Sequence, residues 1–176
     1  MARRAKPIAE RRAERAAIDD LEVVLAAGLR FLEARSRSVA EVRRRLTDAG
    51  YRSELVEEAI GRLIEMGVLD DEQFARLWIE SRDRARPRGE RALRQELALK
   101  GVDRAIVDEL LDERRGEGGD EALADSLAAE RVLASHEAKL ARVPDPRLRR
   151  QRAYALLARN GFDPETASQA VRRVIG

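Results

Sequence analysis

Apolar residues recur at intervals of three and four positions along almost the whole chain. In the first stripe the intervals are i, i+3, i+4, i+7, i+8 and i+11, the pattern of an amphipathic helix. No segment alternates apolar and polar residues as a β-strand does. The first stripe comprises Leu21, Val24, Leu25, Gly28, Leu29 and Leu32. The pattern predicts nine helices, at about 21–34, between Ser38 and Gly50, and at about 54–66, 71–83, 89–99, 104–115, 121–141, 146–159 and 164–174.

Capping signals mark several of these helix starts. Ser38 and Glu41 have the spacing of a capping box, in which each side chain binds the other residue's backbone N–H. Asp70 is a second cap, and Leu69 and Phe74 flank it at the positions of a hydrophobic staple. The adjacent Asp70 and Asp71 are therefore interpreted as helix-start residues and not as an acid–base pair, because neighbours on a helix do not face each other. Aspartate followed by proline predicts two further starts, at Asp145–Pro146 and Asp163–Pro164.

Three segments of the chain align with one another without gaps: 42–60, 93–111 and 153–171. Each carries a leucine, a glycine four positions later, and then an apolar residue. The glycines are predicted to end a helix in the left-handed conformation. A preceding helix completes each unit, so the sequence predicts an all-α fold of tandem three-helix repeats in an elongated, modular array. The predicted divisions are a basic N-terminal tail (1–20) and repeats at 21–69, 70–115 and 116–176.

Composition agrees with small helical units. The chain has 176 residues, of which 44% are hydrophobic and only 3% aromatic, so its cores are expected to be thin. Charged residues make up 39%, with a net charge of only +2. The charge is unevenly placed: residues 103–130 contain ten acidic and three basic side chains, whereas residues 131–176 contain ten basic and four acidic ones. Such blocks favour either oriented binding to a charged partner or solvated helix faces.

The sequence lacks the residues and motifs that metal sites, phosphate-binding loops and catalytic sites require. There is no cysteine and a single histidine, His136, so a metal site is not expected. The phosphate-binding patterns GxxxxGK[ST] and GxGxxG are absent. The sequence therefore predicts neither an enzyme nor a cofactor. No apolar run approaches the ~20 residues of a membrane span, and we expect a cytoplasmic monomer.

Arginine is concentrated in two places. The first cluster surrounds Pro87 and Gly89 in a predicted bend, and the second lies at the start of the helix after Pro146. Arginine binds phosphate through two parallel hydrogen bonds, so these clusters are candidates for contact with nucleic acid or with an acidic protein surface; solvated loops are the alternative. The nearby Trp78 shares a stripe with Phe74 and is expected in the core. The cluster residues are Arg82, Arg84, Arg86, Arg88, Arg91, Arg94, Arg147, Arg149, Arg150 and Arg152.

Residues 67–75 resemble a signature of the RecX regulatory proteins, Gly-hydrophobic-Leu-Asp-Asp-x-x-Phe-Ala. The similarity continues in order through the arginine-rich bend to the last glycine turn and covers about residues 25–175. It also includes the helix start at Arg37–Val42. The matching positions, expected to be mainly structural, are Gly67, Leu69, Asp70, Asp71, Phe74, Ala75, Gly101, Gly161 and Phe162.

The resemblance implies a partner and a role. Proteins of this family bind the helical filament of RecA recombinase on DNA, lie along its groove, and damp strand exchange, ATP hydrolysis and co-protease activity in DNA repair. Two alternatives remain open from the residues themselves. One is a stand-alone nucleic-acid-binding module whose recognition helix carries Arg172 and Arg173. The other is a helical scaffold for a different protein.

Overall fold

The computed structural model describes residues 7–115 and 123–176, and the regular structure in those residues is entirely α-helical. This confirms the all-α prediction. No helix among them is long and apolar enough to cross a membrane. The described residues form eleven helices: α1 (Ile8–Ala16), α2 (Leu21–Leu32), α3 (Val39–Ala49), α4 (Ser53–Glu65), α5 (Asp71–Ala85), α6 (Glu90–Leu99), α7 (Arg104–Arg115), α8 (Leu123–Ser135), α9 (Glu137–Ala141), α10 (Pro146–Arg159) and α11 (Pro164–Ile175).

Two features differ from the nine predicted helices. Part of the expected tail forms α1, and the helix predicted over 121–141 is divided at His136. The division has a local cause, because the Ser135 hydroxyl donates to the Val132 carbonyl and the His136 ring lies 3.0 Å from the same oxygen. That oxygen is the one the His136 N–H would bind in a continuous helix, and the N–H turns instead to Leu133. The predicted loop at 116–119 lies outside the described residues.

The helices form two compact units. Unit 1 comprises the described residues up to Phe74 together with Lys100–Val102. Unit 2 comprises Ala75–Leu99 and Asp103–Gly176. The boundary passes through α5, whose first turn belongs to unit 1. The limits of the three repeats proposed from the sequence stay a prediction.

The core of unit 1 forms where α2 lies against α4 and α3. The apolar stripes predicted for these helices supply it, with Val24, Val42 and Leu63 fully buried. Gly28 occupies a core position in the α2 stripe, and a Cβ built on it would lie 3.0 Å from a methyl carbon of Leu63. The missing side chain therefore lets α2 approach α4 closely.

The main core of unit 2 lies among α8, α10 and α11. Alanines supply much of the buried face, including Ala129 and Ala153, which allows the helix backbones to come close together. Leu133, Leu157 and Phe162 fill the remaining space. The same unit contains the α6–α7 pair, with buried Leu93, Leu97, Val107 and Leu111.

The predicted glycine turns are confirmed. Gly50, Gly101 and Gly161 have φ angles of 103°, 76° and 84°, a region that other residues rarely adopt. At the last turn, the Phe162 N–H donates to the Leu157 carbonyl, which closes the end of α10. The aromatic ring that follows the glycine is buried, as the repeat predicted.

Each of these turns also packs with its backbone against the beginning or middle of another helix, which the sequence did not indicate. A Cβ on Gly101 would lie 2.4 Å from the Cβ of Ala40 in unit 1, and a Cβ on Gly161 would lie 2.4 Å from that of Ala92 in unit 2. A Cβ on Gly50 would lie 2.9 Å from the Arg12 Cα in α1. In all three places glycine is required both for its φ angle and for the close approach.

The first prediction concerns the glycine facing the last turn. A Cβ on Gly89 would lie 2.3 Å from the Gly161 carbonyl oxygen, so Gly89→Ala must displace backbone and is expected to lower the free energy of unfolding by about 1–3 kcal/mol. Gly61 is a matched control, because it lies within α4 with no atom within 4 Å of the added carbon. Gly61→Ala is expected to raise stability by about 0.5–1 kcal/mol. Urea denaturation followed by circular dichroism measures both, and equal stability of the two variants would contradict the packing described.

The second prediction uses the capping box at Ser38, which is present as expected. Glu41 is only 8% exposed and accepts from the Lys100 ammonium at 2.8 Å. Burial alone would raise the pKa of Glu41, but hydrogen bonds from Lys100 and the Ser38 N–H bring it below its ordinary value of 4.5.

A carboxyl group whose folded pKa is lowered stabilises the fold above its ordinary pKa, and this contribution is lost as the pH falls through the folded pKa. Glu41→Gln should therefore cost about 1–3 kcal/mol near pH 7, and the difference from the parent chain should shrink as the pH falls well below 4.5. Denaturation curves across that pH range measure the difference. A constant difference would contradict the role given to the Glu41 charge.

Candidate functional site

The first arginine cluster lies in unit 2, at the end of α5, in the bend that follows, and on α6. The bend is anchored by the turn between α10 and α11. The Gly89 N–H donates to the Asn160 carbonyl at 3.1 Å, and Arg88 Nη1 donates to the Asn160 side-chain oxygen at 2.6 Å. Since the two backbones also touch at Gly89 and Gly161, the bend has a fixed conformation.

Glu96 on α6 contacts three side chains next to this bend. Its carboxylate accepts from the Trp78 indole N–H at 2.8 Å and from Arg82 Nε at 2.6 Å, and Arg88 Nε lies 3.5 Å away. The Arg82 guanidinium also stacks over the Trp78 ring, 4.5 Å from its centroid. Trp78 is half-buried at this polar junction instead of lying in the core as expected.

The cluster therefore divides into two kinds of arginine. Arg82, Arg88 and Arg94 hold the unit together, Arg94 through Glu90 at 2.8 Å and Asp108 at 3.0 Å. The side chains of the other three are exposed and make no hydrogen bond or ion pair with the described part of the chain. These three are Arg84, Arg86 and Arg91.

The second cluster, on α10, divides in the same way. Arg149 donates twice to the Val143 carbonyl, at 3.1 and 3.0 Å, and Arg150 donates to the Gly176 carbonyl at 2.8 Å. The side chains of Arg147 and Arg152 are exposed and have no partner among the described residues. Of the ten arginines proposed from the sequence, five thus point their charge at solvent. We call Arg84, Arg86, Arg91, Arg147 and Arg152 the open arginines.

Five carboxylates of the acidic stretch at 103–130 are paired with arginines of unit 2, namely those of Asp108, Asp112, Glu113, Asp125 and Glu130. Arg114, whose side chain is 9% exposed, donates to Asp83 at 2.8 and 2.9 Å and also to Asp125. Burial raises the pKa of the Asp125 carboxyl, although the Arg114 charge opposes this. Further ion pairs of the stretch are Asp108 with Arg94 and Arg104, Asp112 with Arg115, Glu113 with Arg76, and Glu130 with Arg173.

The family-motif residues lie in the core, at a helix start and at glycine turns. Leu69, Phe74 and Ala75 are buried, and Asp70 caps α5 by accepting from the Gln73 N–H at 2.9 Å. Asp71 has a role that the sequence did not suggest, since it accepts from the Val39 N–H at 2.9 Å and so fastens the start of α3. Burial raises the pKa of Asp71.

Unit 2 also has a groove of about 920 Å³, lined by residues of both signs such as Arg91, Glu90 and Glu165. Tyr154 and Phe162 contribute its aromatic surface. Among the described residues no group of histidine, aspartate and glutamate side chains is arranged to hold a metal ion. The arrangement of open arginines on an anchored scaffold is suited to binding anionic surfaces.

Comparison with known proteins gives matches over most of the chain. The model of the RecX first three-helix domain matches residues 25–63, and that of the second three-helix domain matches residues 70–111. The regulatory protein RecX of Mycobacterium sp. (strain JLS) is 36% identical over 144 residues, which cover 81% of this chain and 76% of that protein. The protein of the same name from Mycolicibacterium smegmatis is 33% identical, covering 81% and 74%.

A solved structure is also similar. The crystal structure of RecX from Lactobacillus salivarius superposes with a TM-score of 0.70 at 18% sequence identity, covering 89% of this chain and 97% of that one. At this level of identity the likeness concerns the fold, and it agrees with the helical architecture described above.

The third prediction tests the junction at Glu96. Trp78 is the single tryptophan of the chain, so its fluorescence reports on this place alone. Glu96→Gln removes the charge that holds Arg82 and weakens the bond to the indole N–H, so the ring should become more hydrated and emit at longer wavelength. Glu57→Gln is the control, because Glu57 binds Arg43 on the surface of unit 1. An unchanged emission maximum in Glu96→Gln would contradict the described geometry.

Proposed function

Because the chain belongs to the RecX family of regulatory proteins, we propose that it binds a RecA-type recombinase filament on DNA and restrains the filament's strand exchange, ATP hydrolysis and co-protease activity. The names of its relatives say only that they are regulatory proteins. The filament as partner rests on the motif resemblance of residues 67–75. The observation that supports binding at particular residues is the set of five open arginines in unit 2.

The chemistry of these arginines supports a binding role. A guanidinium that has no carboxylate of its own keeps all its donors available for phosphate or for acidic side chains. The bend that carries Arg86, between the helix ends that carry Arg84 and Arg91, is fixed through Gly89 and Arg88, so little conformational freedom is lost when a partner is bound. The proposed contact surface is therefore the open arginines, and Arg82, Arg88, Arg94, Arg149 and Arg150 support the fold that presents them.

A regulator of this kind acts by occupancy and needs no reacting group. We propose that the chain is not an enzyme and takes no cofactor. Several weak contacts made at once to a polymer give an avidity that a single contact does not. The filament is such a polymer, and the bare recombinase monomer is not.

The competing candidate is a nucleic-acid-binding module without filament specificity. The helix suggested for recognition, α11, is a poorer candidate than it seemed, because Arg173 is bound to Glu130. The open arginines would nevertheless attract phosphates in either case. The experiment must therefore compare coated and bare DNA under the same conditions.

The fourth prediction concerns binding of the full chain to single-stranded DNA, either bare or coated with recombinase and a non-hydrolysed nucleotide. The salt concentration is about 0.15 M, where the Debye length is roughly 8 Å. The parent chain should bind the coated filament more tightly than bare DNA. Arg84→Gln/Arg86→Gln/Arg91→Gln should weaken filament binding at least about tenfold, which corresponds to about 1.4 kcal/mol.

A triple variant with the same change of charge serves as control. Arg76→Gln/Arg104→Gln/Arg173→Gln removes three exposed arginines of unit 2 that are each paired with a carboxylate. It should bind the filament nearly as well as the parent. Equally weakened binding in both variants would show that the open arginines act only through the total charge. Tighter binding of the parent chain to bare DNA than to the coated filament would overturn the filament proposal.

A further inference from the structure

In unit 1 one aromatic ring carries two guanidinium groups. The Arg37 guanidinium carbon lies 4.4 Å from the centroid of the Phe31 ring, and that of Arg45 lies 5.6 Å from it. Phe31 is near the end of α2, Arg37 directly precedes the cap of α3, and Arg45 is in α3. The ring and Arg37 are half-buried and Arg45 is exposed, so solvent reaches this place.

Neither arginine has an acceptor in the part of the chain that the structure describes. Arg37 Nε is buried and makes no hydrogen bond, which is costly for a donor removed from water. The contrast with unit 2 is direct. There Arg82 makes the same kind of stack on Trp78, at 4.5 Å, but its Nε is bound to Glu96 at 2.6 Å.

Two positive charges on one ring repel each other, and an anion between or beside them offsets this repulsion by attracting both. Stacking uses the flat face of a guanidinium, whereas its N–H donors lie in the plane of the group; in Arg37 the Nε donor is buried, so the terminal Nη donors are the ones that a ligand can bind. Arg44, next to Arg45, is also exposed and has no partner among the described residues. Three unneutralised cations therefore lie within residues 37–45.

We propose that Phe31, Arg37 and Arg45 form a binding site for the phosphate backbone of nucleic acid, with Arg44 as a separate flanking cation on α3. A chain of phosphates can bind several separate cations in turn, so it fits the two ring-held arginines and a flanking cation better than a single carboxylate does. The site lies in unit 1, apart in sequence from the open arginines. It goes beyond the proposed function, since it requires no recombinase.

The test uses the full chain and a fluorescein-labelled oligothymidylate without recombinase, followed by fluorescence anisotropy at several salt concentrations. Arg37→Gln/Arg45→Gln should weaken binding at least about fivefold and make the slope of log K against log[salt] shallower by about 1.4, because each phosphate contact on a single strand contributes about 0.7. Phe31→Leu keeps all charges but removes the stacking platform, and it should weaken binding to a smaller extent.

Arg43→Gln/Arg62→Gln is the matched control, since it removes two arginines of unit 1 that are paired with Glu57 and Glu65. It should bind nearly as well as the parent chain and leave the salt slope almost unchanged. Arg44→Gln/Arg45→Gln changes exposed residues only and should also weaken binding, which keeps the test valid if Arg37→Gln disturbs folding.

Equal affinities and slopes for Arg37→Gln/Arg45→Gln and the control would overturn the proposal. The proposal would also be overturned if polyglutamate displaced the oligonucleotide as effectively as unlabelled oligothymidylate does. That result would indicate a binding site for acidic protein segments. Filament binding is measured in a separate experiment. A negative result for one of the two proposals therefore does not decide the other.

Discussion

The structure depends on glycine turns whose backbones pack directly against neighbouring helices. At Gly101 and Gly161 the chain needs a left-handed φ, and there is also no room for a Cβ. One residue type satisfies both demands, because glycine alone combines that conformation with the absence of a side chain. The turn at Gly161 fixes the bend at Gly89, and three of the open arginines, Arg84, Arg86 and Arg91, lie in or beside this bend. The backbone conformation of the glycine turn therefore helps to position the arginines that we propose to bind a partner.

The abundant arginines of this chain serve two different purposes. Some are bound to carboxylates or carbonyl oxygens inside a unit, as Arg114 is between Asp83 and Asp125. Others have no internal partner and leave their charge to solvent. The net charge of the chain is only +2, but arginines without an internal carboxylate form locally cationic patches on it. A regulator that binds an anionic polymer needs such places and needs no catalytic group.

Much of the fold could be predicted because its signals are local. Apolar stripes, the capping box at Ser38 and the glycine turns depend on residues within a few positions of one another, and the family resemblance of residues 67–75 is confirmed by the comparisons. The candidate site was predicted only as two clusters. Which arginines are open depends on carboxylates brought close by folding, such as Glu96, 14 positions from Arg82. The break at His136 was missed because side-chain competition for one carbonyl leaves no trace in the apolar pattern.

The most direct test of this account is native-state hydrogen exchange of the Gly89 amide, which donates to the Asn160 carbonyl in the described structure. If the α10–α11 turn anchors the arginine bend, this amide should be protected nearly as strongly as the amides in the middle of α6, because both exchange only when the unit opens. Exchange at the rate of a solvent-exposed loop would show that the bend is free, and the division into supporting and open arginines would then fail.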